Sequence, residues 1–194
     1  MSSVLAGSVY QEIAKSMRTY IAFLRGINVG GNNIIKMDAL RQAFVGMGFT
    51  GVATYIQSGN VVFVSNKTNC IRIEKQIERV LSTRFGYLAR VLVREKKEME
   101  ATVAHLPKIF SSKTWKHNVI FLSNKIDSPT IVKKFQIKKD IEQVRYYKGV
   151  LFWSARLTGL TRSTMIKLAR FPEYKEMTVR NVNTIKKIAE MMSR

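Results

Sequence analysis

Tyr20-Ile21-Ala22-Phe23-Leu24-Arg25-Gly26-Ile27-Asn28-Val29-Gly30-Gly31 is the stretch around which the chain is organised. Tyr20 to Leu24 have the aromatic and aliphatic make-up of a β-strand, and the strand stops at Arg25-Gly26. Three glycines with asparagines among them fill the residues up to Asn33, and a helical pattern begins at Met37. A strand that runs into a glycine-rich loop and then a helix turns backbone N–H groups toward one edge of a sheet, which suits an anion or another polar ligand.

Outward from the loop, Leu40, Ala43, Phe44 and Met47 share one face of a helix over Met37–Gly48. Strands are expected at Val52–Gln57 and Asn60–Val64, joined by a tight turn at Ser58-Gly59, where Gly59 supplies a positive φ. Ile73, Ile77, Val80, Leu81 and Phe85 mark the next helix, which Gly86 ends, and Leu88–Arg94 alternates as a strand. The order β-α-β-β-α-β is that of a split β-α-β unit.

The second half reads similarly. A helix over Glu95–Leu106 ends at Pro107, and His117–Leu122 is a strand. Asp127-Ser128-Pro129-Thr130 signals a helix over Ile131–Lys138. Strands Ile141–Tyr147 and Val150–Ser154 flank a Lys148-Gly149 turn. Helices are expected at Arg162–Arg170 and Asn181–Met192, with extra helix where a last strand would stand. The expected fold is therefore α+β with two ferredoxin-like halves and mainly antiparallel sheets: an N-terminal extension over 1–17, a first subdomain over 18–95 and a second over 96–194.

Three blocks, Leu24-Arg25-Gly26-Ile27-Asn28-Val29-Gly30-Gly31, Tyr55-Ile56-Gln57-Ser58-Gly59-Asn60-Val61 and Thr178-Val179-Arg180-Asn181-Val182-Asn183-Thr184, stand in this order. Together they resemble the signature of a bacterial family, domain of unknown function family 1697. The resemblance runs from about Met17 to the C-terminus and implies two ferredoxin-like subdomains with no assigned activity. This chain departs from it in having Val182 where the family usually carries Trp, and Arg162-Ser163-Thr164-Met165 in place of a more regular Ser-Lys-Leu-like segment.

With 194 residues the chain can form one large or two small domains with sizeable cores. Cys70 is the single cysteine, which excludes an intrachain disulfide and makes a reducing, cytoplasmic setting the default. No apolar run reaches membrane-spanning length. Leu5, Val9, Ile13 and Met17 recur every four residues, as in a docking helix or an appended leader. The formal charge is +20. Lys and Arg outnumber Asp and Glu 14 to 5 in residues 1–97 and 19 to 8 thereafter, so no separate tail carries the excess. Such a spread fits either attraction to polyanions or a generally solvated basic surface.

Three polar clusters are candidates for ligand contact. The first is Arg25, Asn28, Gly30, Gly31 and Asn32; it lacks G-x-G-x-x-G spacing and a following Lys-Ser or Lys-Thr pair, so it is either a backbone anion nest or a strand-to-helix turn. The second is Gln57, Ser58 and Asn60, which antiparallel pairing brings close to the first, or which serves ordinary turn chemistry. The third is Arg180 and Asn181 with Asn183 and Thr184, where helix capping competes with ligand contact. Catalytic equipment is thin. His105 and His117 have no metal or triad spacing, Asp38 fits a helix N-terminal charge better than a general base, and Cys70 reads as a plain small residue. No metal, cofactor or reaction is assigned.

The leading expectation is a small anionic or phosphorylated ligand at a composite Arg/Asn/Gly site. One rival is a nucleic-acid-binding module with Lys133, Lys134, Lys138 and Lys139 as phosphate contacts; another is a ligand-free interaction scaffold. RNA binding on the sheet itself would use Tyr20, Phe23 and Phe63, without the usual glycine-aromatic pattern.

Overall fold

The computed structural model describes residues 17–29, 31, 33–57 and 59–194. Gly30, Asn32, Ser58 and the periodic Leu5, Val9 and Ile13 lie outside them. Two compact units form, one from the described residues up to Glu98 with Glu190–Arg194, the other from Met99–Ala189. Each is built on a four-stranded antiparallel sheet flanked by helical segments, so the fold is α+β.

The first unit follows β1 (Arg18–Leu24), α1 (Met37–Gly46), β2 (Thr50–Tyr55), β3 (Asn60–Ser65), α2 (Cys70–Phe85) and β4 (Val91–Glu95), with strand order β2-β3-β1-β4. Tyr20, Ala22 and Leu24 of β1 point into one core with Leu40, Phe44, Ile73, Ile77 and Leu81, as the period of two in the strand and of four in the helix requires. Asn69 caps α2 by accepting a hydrogen bond from the Arg72 N–H, and Gly86 ends it in the left-handed region at φ +66°. Glu74 and Glu78 accept from the N–H groups of Val93 and Val91 at 2.8 and 3.0 Å. They thereby cover donors of β4, an edge strand that would otherwise be open to pairing.

The β2–β3 connection differs from expectation. Tyr55 pairs with Asn60, which leaves Ile56–Gly59 as a four-residue link instead of a two-residue turn. Ile56 has φ +48°, a conformation that cannot continue a strand and that β-branched residues rarely adopt.

In the second unit β5 (Trp115–Leu122), β6 (Glu142–Tyr147), β7 (Val150–Arg156) and β8 (Met177–Asn181) take the order β6-β7-β5-β8. Lys148 and Gly149 have φ +34° and +77°, the two positive values that a two-residue hairpin turn needs. Two expectations are corrected. A last strand is present: β8 pairs with β5 from Met177 opposite Leu122 to Asn181 opposite Asn118, and it passes straight into α4 (Val182–Met191) without a breaker to mark the change. The helices expected over Ile131–Lys138 and Arg162–Arg170 are short 3₁₀ segments at Pro129–Lys134, Leu157–Arg162 and Met165–Arg170. Their i,i+3 apolar spacing is shared by both helix types, so periodicity could not separate them. α3 (Lys96–Ala104) lies between β4 and β5 in the chain.

Candidate functional site

In the first unit β1 delivers its end against the hairpin and β4. The Leu24 N–H donates to Gly59 O at 2.7 Å and the Arg25 N–H to Arg90 O at 3.0 Å. Beyond this point the chain turns with positive φ at Gly26 and Asn28. Asn28 then ties the loop together: its amide donates to Ile35 O and Gln57 O, both at 3.0 Å, and its carbonyl accepts from the Ile35 N–H at 2.8 Å. Asn33 repeats the device, donating to Gly26 O at 2.8 Å. Asn60 is buried and donates to Tyr55 O at 3.1 Å. Gly59 admits no side chain, since an added Cβ would stand 2.9 Å from Leu24 Cβ and 3.1 Å from Ile27 Cδ1. The structure thus brings Asn28, Gln57 and Asn60 to one loop cluster beside Arg25, where the two asparagines hold neighbouring carbonyls. Gly31 is exposed at φ +77°. Asp38 forms an ion pair with Arg41.

Tyr20, Phe23 and Phe63 are fully buried, and Tyr20 stacks on Phe63 with centroids 5.7 Å apart. They offer no exposed platform for bases. The Cys70 thiol is pushed up to about 11, mainly by burial, which removes the thiolate that a nucleophile requires.

In the second unit Arg180 lies in β8, where it donates to Val179 O at 2.9 Å, and the Asn181 carbonyl accepts from the Asn183 N–H at 2.8 Å. His117 is buried between Ser154 Oγ, 2.8 Å from Nδ1, and Ser112 O, 2.9 Å from Nε2. The carbonyl can only accept, so Nε2 donates to it. Ser154 is itself buried, and the pair is a closed internal link.

A concave feature lies elsewhere in this unit. Gln136, Lys138, Arg162, Thr164, Lys167, Arg170 and Phe171 line a hollow of about 270 Å³. Its walls come from two stretches far apart in sequence, and one buried carboxylate joins them. Glu142, at the start of β6, accepts at Oε1 from Trp153 Nε1 (3.1 Å), Ser163 Oγ (2.6 Å) and the Met165 N–H (2.9 Å), and at Oε2 from the Lys138 N–H (3.0 Å). Burial alone would raise its pKa, but the hydrogen bonds from Ser163 and from the backbone at Lys138, Met165 and Thr164 outweigh this and hold it below the ordinary value. Thr164 Oγ1 closes the frame by donating to Gln136 O at 2.6 Å. Gly159 lets the same segment approach closely, because a Cβ there would meet Ile141 Cγ2 at 2.7 Å.

Four basic residues therefore line one hollow whose backbone is fixed on both walls. Arg162 stands 3.6 Å from Asp140, with both side chains largely exposed. Lys138, Lys167 and Arg170 have no carboxylate partner among the described residues. Positive charge concentrated in a concavity raises the local concentration of anions. Sequence reading named Lys138 as a phosphate contact of a nucleic-acid-binding module, and took Arg162-Ser163-Thr164-Met165 as a departure from a family pattern at the start of an expected helix. The recurrence of Arg162, Lys167 and Arg170 along one segment was the available signal.

Among the described residues no cluster of His, Cys, Asp and Glu can hold a metal ion, and no helix is long and apolar enough to cross a membrane. A family model described as protein of unknown function (DUF1697) matches residues 17–152. The chain belongs to this family. No curated protein matches. Among solved structures, this DUF1697 protein is similar to the conserved bacterial protein SP0830 from Streptococcus pneumoniae. The TM-score is 0.80 at 26% identity, over 91% of this chain and 99% of that one.

Proposed function

We propose that this DUF1697 protein binds a small anionic ligand in the hollow of its second unit, with Lys138, Arg162, Lys167 and Arg170 supplying the charge. The observation that carries the reading is that four basic residues line one concavity whose two walls share the buried Glu142. A solvated basic surface needs no such frame, since exposed lysines and arginines stay hydrated wherever they stand. The frame also fixes the backbone at Lys138 and Thr164, which lowers the ordering cost of closing charged side chains on a guest.

Calorimetric titration of the full chain with inorganic phosphate and pyrophosphate tests the reading. Binding that weakens about tenfold or more in Lys167→Ala/Arg170→Ala supports it, because hydrogen bonds to charged groups are each worth about 1.5–3 kcal/mol. Absence of binding to either anion, or binding indifferent to the double substitution, overturns it.

A further inference from the structure

The class of anion follows from what stands beside the charges. We infer that the hollow takes a nucleoside phosphate, its phosphate held by Lys138, Lys167 and Arg170 and its base against Phe171; this rests on the anion-binding reading above. An inorganic ion has no use for an aromatic ring, yet Phe171 lines the hollow and is held in place. Its ring meets that of Phe135 edge-on at 5.1 Å and 80°, and its N–H donates to Leu168 O at 3.1 Å. Phe135 is anchored in turn against Trp153 at 5.3 Å. A half-buried ring held by its neighbours gives a flat heterocycle a surface to stack on, and such stacking tolerates any base.

Gln136 adds the second element. Its backbone carbonyl is pinned by Thr164, the residue lines the same hollow, and its side-chain amide carries a donor and an acceptor, the pair that a base edge requires. The charges complete the match. Asp140 lies against Arg162 and the ionised Glu142 lies behind both walls, so four cations against two carboxylates leave a surplus of two, which suits a phosphate of about −1.5 to −2. The guanidinium of Arg170 presents paired donors that fit phosphate oxygens. A volume of about 270 Å³ lies just below the roughly 300–1,000 Å³ of small-molecule sites, which suits a single nucleotide unit.

The test is calorimetric titration of the full chain with adenosine and uridine 5′-monophosphates, ribose 5-phosphate, inorganic phosphate, adenosine, and a 5′-phosphorylated single-stranded oligonucleotide. The monophosphates are expected to bind about tenfold tighter than ribose 5-phosphate. Phe171→Leu is expected to remove that advantage while leaving ribose 5-phosphate binding in place, and Phe171→Trp to keep it. Equal affinity for monophosphates and ribose 5-phosphate overturns the inference while leaving the anion reading intact; failure of every phosphate to bind overturns both. Adenosine binding as tightly as its monophosphate, or an oligonucleotide preferred about tenfold over the monophosphates, also overturns it. If Phe171→Leu does not fold, the wild-type comparison decides alone.

Discussion

Replacing Glu142 with Gln changes one oxygen of a group that joins β6 to both walls of the hollow. The amide oxygen can keep the Oε1 position, which accepts from Trp153, Ser163 and Met165. The amide nitrogen then faces the Lys138 N–H, 3.0 Å away in the native protein, and two donors confront each other. The loss of this charge-assisted bond costs about 1.5–3 kcal/mol, and weakening of the other three raises the total to about 2–4 kcal/mol. Trp115 and Trp153 are the only tryptophans and both belong to the second unit, so urea unfolding followed by tryptophan emission reads this unit alone. The expected result is a lowered midpoint in Glu142→Gln with a shifted native emission, because the Trp153 indole itself donates to Glu142. The acid limb should change as well. The folded carboxyl titrates below its ordinary value of 4.5, so its contribution is present above that value and is lost as pH falls through the lower folded one. Between pH 7 and 3 the variant should therefore lose less stability than the wild type. An unchanged midpoint, or an acid limb parallel to the wild type, would refute the claim that Glu142 holds the walls together.

Asn28→Ala removes three hydrogen bonds at a residue with φ +52° and should destabilise the first unit by about 2–4 kcal/mol in urea melts followed by circular dichroism; Asn28→Gly should recover about 1 kcal/mol of this, because only the backbone part is relieved. Gly159→Ala places a methyl group 2.7 Å from Ile141 Cγ2 and 3.1 Å from its Cδ1 and should cost about 1–3 kcal/mol by tryptophan emission, with Ile141→Ala, which removes both atoms, relieving the clash so that the two losses are less than additive. Alkylation of Cys70, followed by intact mass at pH 8, should run about a hundredfold slower than for a free thiol, given a thiol raised from 9.0 to about 11; a rate equal to that of free thiol would contradict its burial.

Elements whose signals are local could be read from the sequence. Gly86 after an Ile73-Ile77-Leu81 stripe gave the end of α2, and Lys148-Gly149 between alternating strands gave a hairpin turn with both φ values positive. β8 escaped because five residues, Met177–Asn181, lead directly into α4, and a strand that changes to a helix without glycine or proline has no punctuation. Ile56 illustrates the converse: a residue with strong β-propensity leaves the strand because the register closes Tyr55 on Asn60. For the site, the loop asparagines stand out in the sequence because backbone carbonyls at a turn need them, whatever else they touch. The hollow did not stand out, since Gln136 to Lys138 and Arg162 to Phe171 meet through the Thr164–Gln136 hydrogen bond and through Glu142, a carboxylate whose burial no local pattern announces.

The location of anion binding is the most direct measure of this account. In ¹⁵N-labelled protein titrated with phosphate, the amide shifts should be largest in two groups, Gln136 to Lys138 and Arg162 to Phe171, and should saturate together with one dissociation constant. Shifts confined to residues 25–33 and 57–60, or spread over every exposed lysine without saturation, would contradict it.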